Sequence, residues 1–295
     1  VVTYNNQDDI VDCLNDLAKS TRKNCSIEIA VVDNNSADAT ARLVREKFPK
    51  TKLFVLSENH GLSKANNMVI KDFLKSGVDY IFILNPDTLL TSNLIDDLVN
   101  VIQQNPQVGI CGPKIYFAPG REFYKEKYTK EQRGRVFWYA GGIIDWKNVL
   151  PSHFGVDEVD QGQYEDIRDT DFVSGCAMFV RKNVFEKVGF LDEDLAMYLE
   201  DLDFSLRAKK AGFRVVYAPI KAVWHKNAQS SGVGSMTQDY YVARNRLLFA
   251  VKYAKTRAKL AVIRESWKLL LKGRPGLKQG VKDFYAKRFG VKKTK

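Results

Sequence analysis

Short β-branched runs alternate with helical spacings through the first third of the chain. Ile27–Val32 (IEIAVV) and Tyr80–Leu84 (YIFIL) predict buried strands, and Lys52–Leu56 predicts a weaker one. Between them, Asp38–Phe48 carries Leu43, Val44 and Phe48 at helical spacing, and Leu62–Leu74 carries Met68, Ile70, Phe73 and Leu74 in the same way. This β-α-β-α-β order predicts an α/β fold with a mainly parallel central sheet flanked by helices. Residues 115–165 lose the periodicity and are dense in aromatic and charged residues, so a functional loop region is expected there. Phe172–Val180 resumes a strand pattern and Asn183–Val188 a helical one. A further helix runs to Gly212, followed by a strand at Arg214–Tyr217. From Tyr240 the chain reads as helical, with Leu260, Ile263, Trp267 and Leu270 forming one stripe. Gly273-Arg274-Pro275-Gly276 ends that helix and leaves Gly280–Lys295 as a short basic remainder. The expected organisation is a body at 1–239 and a helical extension at 240–295.

Each strand of the first half runs directly into a polar cluster. Val1–Val2 leads into Thr3-Tyr4-Asn5-Asn6, Val31–Val32 into Asp33-Asn34-Asn35-Ser36, Leu53–Leu56 into Ser57-Glu58-Asn59-His60-Gly61, and Ile83–Leu84 into Asn85-Pro86-Asp87-Thr88. Turn chemistry explains any one of these clusters. A parallel sheet would gather all four on one edge, beyond the carboxyl ends of the strands, where ligands bind in such folds.

Charge sharpens this picture. The 295 residues hold 46 Lys+Arg and 35 Asp+Glu, a formal net of +11. Residues 252–295 contain 15 of the basic residues against only Glu265 and Asp283, which leaves residues 1–251 with a net charge of −2. A near-neutral body argues against a nucleic-acid groove through the core. The basic amphipathic tail instead suits an anionic membrane surface, with plain core packing as its alternative. Cys13, Cys25, Cys111 and Cys176 are far apart and form no CxxC pair, so a reducing compartment is expected. No apolar run approaches the roughly 20 residues that cross a bilayer. Val1 already lies inside a strand-like run, so a few preceding residues are expected.

Three groups could carry chemistry. Asp87, held by Pro86 after a buried strand, suits a hard divalent cation, although a single carboxylate also reads as a turn residue. Glu200-Asp201-x-Asp203 places three carboxylates at a helix start, where the dipole favours negative charge. Asp203 can pair with Arg207 one turn on, leaving the other two available. His225, one of only three histidines, gains meaning if it faces Asp87, because imidazole and carboxylate make a plausible metal pair.

These residues also carry a resemblance. Residues 1–225 resemble the inverting glycosyltransferases of family 2, which have the GT-A fold, and look most like the rhamnosyltransferase branch. The matching features, in order, are VVTYNN, VVDNNSADAT, ENHGLSKANN, ILNPDT, SGCAMFVRKNVFEKVGFLDE, YLEDLDFSLRAKKAG and VWH. The resemblance implies that Thr3, Tyr4 and Asp33, with Asn35 beside them, hold the nucleotide base. It places Asn59, Gly61, Lys64 and Asn66 in the donor loop, and Asn85 and Asp87 at the DxD position, whose first acid is here an Asn. It further implies that Asp87 and His225 bind Mg²⁺ or Mn²⁺ on the diphosphate, and that Asp201, with Glu200 beside it, is the general base. Lys64 stands where many relatives carry a small residue.

The implied reaction is a single displacement moving a sugar, with dTDP-rhamnose the first choice and UDP-sugars the alternative, to a hydroxyl of a saccharide. The expected acceptor is a lipid-linked saccharide of a bacterial surface polysaccharide at the inner face of the cell membrane, so the enzyme is expected to be cytoplasmic and peripheral. Trp138, Trp146 and Trp224 are candidate sugar platforms, with core packing the alternative. A sugar-phosphate nucleotidyltransferase would need a Gly-rich basic loop after the first strand, and Thr3–Asp9 is acidic and free of glycine. A non-catalytic sugar-binding module is the other rival. Deletion of residues 256–295 is expected to abolish liposome binding while largely keeping catalysis on a soluble acceptor.

Overall fold

The computed structural model describes residues 1–292 except 22, 24 and 227–233. The first half comprises β1 (Val2–Thr3), α1 (Ile10–Ala18), β2 (Ala30–Asp33), α2 (Thr40–Lys47), β3 (Lys52–Val55), α3 (Gly61–Lys75), β4 (Tyr80–Leu84), β5 (Thr88–Leu90), α4 (Leu94–Gln104) and β6 (Val108–Phe117). The middle contains β7 (Phe137–Tyr139), β8 (Gly142–Asp145), β9 (Leu150–His153), β10 (Arg168–Asp169), β11 (Ala177–Arg181) and α5 (Lys182–Val188). The chain then forms α6 (Glu200–Lys210), β12 (Arg214–His225), α7 (Met236–Tyr253), α8 (Thr256–Lys272) and α9 (Pro275–Tyr285).

Two sheets carry the site. β1, β2 and β3 are parallel, and their register sets Thr3 opposite Asp33 and Asp33 opposite Val55. The seven-stranded sheet is mixed. β11 runs antiparallel between β4 and β6, while β12 is parallel to β6 and antiparallel to β5. Alternation along β11 explains the layering, because successive side chains point to opposite faces. Ala177 and Phe179 join Leu94, Leu98 and Ile102 of α4, whereas Met178 and Val180 join Val184, Phe185, Phe204 and Ala208 of α5 and α6. The parallel order predicted for the first half therefore describes β1–β3, and the later strands complete a mixed α/β body.

Three element boundaries differ from the sequence pattern for identifiable reasons. The run from Phe172 becomes a strand only at Ala177, because Ser174 closes a turn, accepting from Cys176 N at its Oγ and from Ala177 N at its carbonyl. The strand expected to stop at Tyr217 continues to His225, passing Pro219 through a register shift between Tyr217 and Lys221. Pro275 does not merely end α8 but occupies the first turn of α9, where its missing N–H costs nothing.

Much of the aromatic character of 115–165 belongs to the core. Tyr116, Phe117, Phe137 and Tyr139 are buried. The segment is pinned by Lys114, fully buried, whose Nζ donates to Asp160 and Glu165 at 3.1 and 2.8 Å.

The C-terminal helices are built into the body rather than appended to it. Leu199 and Leu202 share a core with Ala243, Leu247, Phe249, Val262 and Val281. α9 approaches α7 closely at two glycines: a Cβ on Gly276 would lie 2.5 Å from the Met236 carbonyl oxygen, and one on Gly280 would lie 2.2 Å from that of Tyr240. Deleting 256–295 would strip this packing, so the expectation that catalysis survives the deletion is corrected. The stripe predicted on α8 is also split: Ile263 and Leu270 pack inward while Leu260 and Trp267 stay exposed. Among the described residues, no helix is long and apolar enough to cross a membrane.

Candidate active site

Strand registry assembles the site. β5 begins immediately after Asp87 and pairs with the end of β12, setting Thr88 opposite His225. Lys226 N extends this ladder by donating to the Asp87 carbonyl at 2.8 Å. The two side chains therefore meet, with His225 Nε2 3.2 Å from Asp87 Oδ2 and both residues buried. This is the arrangement that gives His225 its meaning. Nδ1 of the same ring has no hydrogen-bond partner among the described residues. Trp138 lies edge-on to His225 with ring centroids 4.6 Å apart, and His153 backs Trp138 at the same separation. Burial pulls the His153 imidazole down to about 4, so it remains a neutral prop at neutral pH.

Asp201 reaches the same edge from α6. Ala177 is opposite Leu84, and Asn85 N donates to the Cys176 carbonyl at 2.9 Å, so the turn before β11 lies beside the end of β4. From that turn Gly175 N donates to Asp201 Oδ2 at 2.9 Å, and Leu202 N donates to Oδ1 at 2.9 Å. Cys176 registers both carboxylates: burial first, and then the charges of Asp87 and Asp201 among others, push its thiol well up. Asp203 is taken out of play by Arg207 Nε at 2.7 Å and by the Tyr253 hydroxyl at 2.6 Å. Glu200 is buried beside Asp201, and its Oε2 has no partner among the described residues. Burial, and secondarily the neighbouring Asp201, push Glu200 up to about 8, while burial also raises Asp201. Burial beside Asp201 therefore favours the protonated form of Glu200.

The other edge residues form a second group. Thr3 is buried and its Oγ1 donates to Asn6 Oδ1, whereas Tyr4 is exposed at the rim. Asp33 is buried with Oδ2 accepting from Ser36 N at 3.1 Å and Oδ1 without a partner among the described residues. Asn35 is exposed in a left-handed conformation at φ 68°. Asn34 joins this group to the loop expected to hold the donor, donating to Asn59 Oδ1 and accepting from His60 N. Asn59 Oδ1 also accepts from Gly61 N, while Asn66 folds back on its own helix to the Leu62 carbonyl. Lys64 is exposed on α3. Ser63 N donates to the Ala196 carbonyl at 3.0 Å, which ties this loop to the turn preceding Glu200.

Two tryptophans make packing contacts. Trp146 stacks on Phe249 of α7, and Trp224 donates its indole N–H to the Gly134 carbonyl at 2.8 Å. Of the three aromatic candidates, only Trp138 touches the His225 ring. The sequence reading missed Gly175, whose amide holds Asp201, and also Arg244 and Asn245. Those two are fully buried polar residues in a helix whose neighbours Tyr240, Tyr241, Leu247 and Phe249 are apolar core, a conflict that was available as a signal.

The α/β body, with its polar clusters at the strand ends, has the GT-A fold. The chain belongs to glycosyl transferase family 2, whose family model matches residues 1–189. It is 27% identical over 241 residues to the N-acetylglucosaminyl-diphospho-decaprenol L-rhamnosyltransferase of Mycobacterium tuberculosis, covering 78% of this chain and 76% of the relative. It is 26% identical over 260 residues to the dTDP-rhamnosyl transferase RfbF of Shigella flexneri, covering 85% and 79% respectively. Among solved structures, the mannosyltransferase PcManGT from Pyrobaculum calidifontis, in complex with GDP-Man and Mn²⁺, matches with a TM-score of 0.53 at 17% identity, over 97% of this chain and 72% of that one.

Proposed function

We propose that this family 2 glycosyltransferase moves a sugar, with L-rhamnose from dTDP-rhamnose the first choice, onto a hydroxyl of a lipid-linked saccharide in surface polysaccharide synthesis. The observation that carries the reading is the convergence of the Asp87–His225 pair and the Gly175-held Asp201 on one strand edge. The names of the two rhamnosyltransferase relatives support the sugar, and the decaprenol-linked substrate in one of those names supports the acceptor class.

The residues present fit a divalent cation. One carboxylate oxygen and one imidazole nitrogen face each other at 3.2 Å, and among the described residues no group of three or more His, Cys, Asp or Glu could hold a metal. Such a two-ligand site leaves positions for diphosphate oxygens and water, which is how Mg²⁺ is commonly held. When bound, the cation would offset the charge of the leaving diphosphate. The chain's own residues do the rest. Asp33 Oδ1, buried and without a hydrogen-bond partner among the described residues, would accept the N3–H of a thymine or uracil base. Asp201 takes the proton of the acceptor hydroxyl as its oxygen bonds to the anomeric carbon. The bond from that carbon to the diphosphate breaks on the opposite face, the nucleoside diphosphate departs, and the centre inverts. Glu200 keeps its proton and so does not add a second charge beside the base.

The exposed side of α8 supports docking on an anionic bilayer. Leu260, Trp267 and Leu271 are 60%, 58% and 77% exposed on one face, among Arg257, Arg264, Lys268 and Lys272. Each basic residue near such a surface contributes about 1 kcal/mol.

The experiment is a donor screen by nucleotide release, with dTDP-rhamnose run against UDP-galactofuranose, UDP-N-acetylglucosamine, UDP-glucose and GDP-mannose in the presence of Mg²⁺ or Mn²⁺. Acceptor-dependent release chiefly from dTDP-rhamnose is expected. Preference for a UDP-sugar would overturn the rhamnose assignment, and absence of release from every donor would overturn the transferase reading.

A further inference from the structure

The turn that delivers the two carboxylates is held in a backbone conformation it would not adopt alone. Ala196, Tyr198 and Leu199 have φ of 58°, 66° and 70°, a left-handed region that disfavours side chains other than glycine. Such conformations cost on the order of 1–3 kcal/mol each and persist only where surrounding structure imposes them. Here the imposing structure is α7. Asn245 Nδ2 donates to the carbonyls of Leu195, Met197 and Tyr198 at 2.8, 2.7 and 2.9 Å. Arg244 Nη2 donates to the carbonyls of Asp194 and Leu195, both at 3.0 Å, and its Nε donates to Asn245 Oδ1 at 3.0 Å. Both residues are fully buried, so each of these bonds is expensive to leave unmade.

The chain beyond α9 adds a third point of attachment. Arg244 Nη1 donates to the Gly290 carbonyl at 2.6 Å, and Gly290 N donates to the Asp194 carbonyl at 2.8 Å. Val291 then sits between the two loops of the site. A Cβ on Gly61 of the donor loop would lie 3.0 Å from Val291 Cγ2 and 3.1 Å from Ala196 Cβ. Lys292 closes the arrangement, with its backbone N donating to the Tyr241 hydroxyl at 3.0 Å.

We propose that Arg244 and Asn245 are positioning residues for the base, and that Gly290–Val291 is a clasp holding the base-bearing turn against the donor loop. Neither residue touches the reacting atoms. They fix the entry of α6 so that Asp201 reaches the Gly175 amide, and a displacement there is costly because misplacing a catalytic group by about 1 Å can cost on the order of 10²-fold in rate. The inference rests on the reading of Asp201 as base.

The test compares Asn245→Asp, Asn245→Ala and a chain ending at Phe289 with wild type and with Asp201→Asn. Asn245→Asp preserves shape but turns a carboxylate oxygen toward three carbonyls, while the shortened chain keeps all of α1–α9. Expected results are a fall in kcat of about 10- to 100-fold for both Asn245 variants, with nucleotide affinity by calorimetry within about threefold of wild type. The shortened chain is expected to lose kcat and to raise donor KM, because Val291 also supports Gly61. Faster amide hydrogen exchange across residues 194–203 is expected in all three, even in an Asn245 variant of reduced stability, provided the binding stoichiometry confirms folded protein. Wild-type kcat together with wild-type exchange in the Asn245 variants would overturn the proposal. Wild-type kcat in Asp201→Asn would instead overturn the assignment of the base, leaving the exchange result to judge the clasp separately.

Discussion

Replacing Glu200 with Gln isolates the cost of a second buried carboxylate beside Asp201. Burial and Asp201 move this group from its usual 4.5 up to about 8. Between those two values the folded protein keeps a proton that the unfolded chain has released, so stability must fall as pH rises through that window and level off above it. At about 1.4 kcal/mol per pKa unit, the fall is on the order of 5 kcal/mol, a large part of the stability of a domain. The Gln side chain is nearly isosteric and cannot ionise, so the variant should lack this slope. Urea unfolding at a series of pH values from about 5 to about 9 reads it directly. The variant is expected to match wild type near pH 5 and to become progressively more stable than wild type toward pH 9, with equal m-values. A gap between the two proteins that stays constant across the range would refute the argument, because it would mean that Glu200 is ionised in the folded state throughout.

Asp201→Asn should lower transfer by about 10²- to 10⁴-fold, the usual worth of a general base, with nucleotide binding retained; wild-type turnover would remove Asp201 from that role. Asp87→Ala should weaken nucleotide binding in the presence of Mg²⁺ or Mn²⁺ while leaving metal-free binding unchanged, and identical titrations with and without metal would reject the pairing with His225. Replacing Leu260, Trp267 and Leu271 together with Ser should release the protein from anionic liposomes with turnover on a soluble acceptor kept. Undiminished sedimentation with liposomes would show that α8 is not the docking face.

The part of the site that follows strand ends was legible in the sequence, because a short buried strand followed by a polar cluster is a local pattern. Thr3, Asp33, Asn59, Asp87 and His225 were all singled out as candidates that way or through the motif series. The structure supplied what the pattern lacks, namely the β5–β12 register that turns Asp87 and His225 into a pair. Asp201 was legible as an acid at a helix start but not as one held by a turn amide, since hydrogen bonding to Gly175 depends on a contact 26 positions away in sequence. The C-terminal region was misread for a different reason. Periodicity reports only that a helix has two faces, and on α8 the inward face is Ala258, Val262 and Ser266 with Ile263 and Leu270 at its margin. Small residues allow the close packing of helices, as Gly276 and Gly280 do on α9, and so carry a weak hydropathy signal where the contact is tightest. Arg244 and Asn245 escaped because polar residues in a helix read as solvent-facing. Their real partners are backbone carbonyls of a turn with left-handed residues, and no side-chain pattern records those. The conflict between a polar pair and its apolar neighbours is thus the one trace that such a brace leaves in a sequence, and here it marks residues that hydrogen-bond the turn before Glu200.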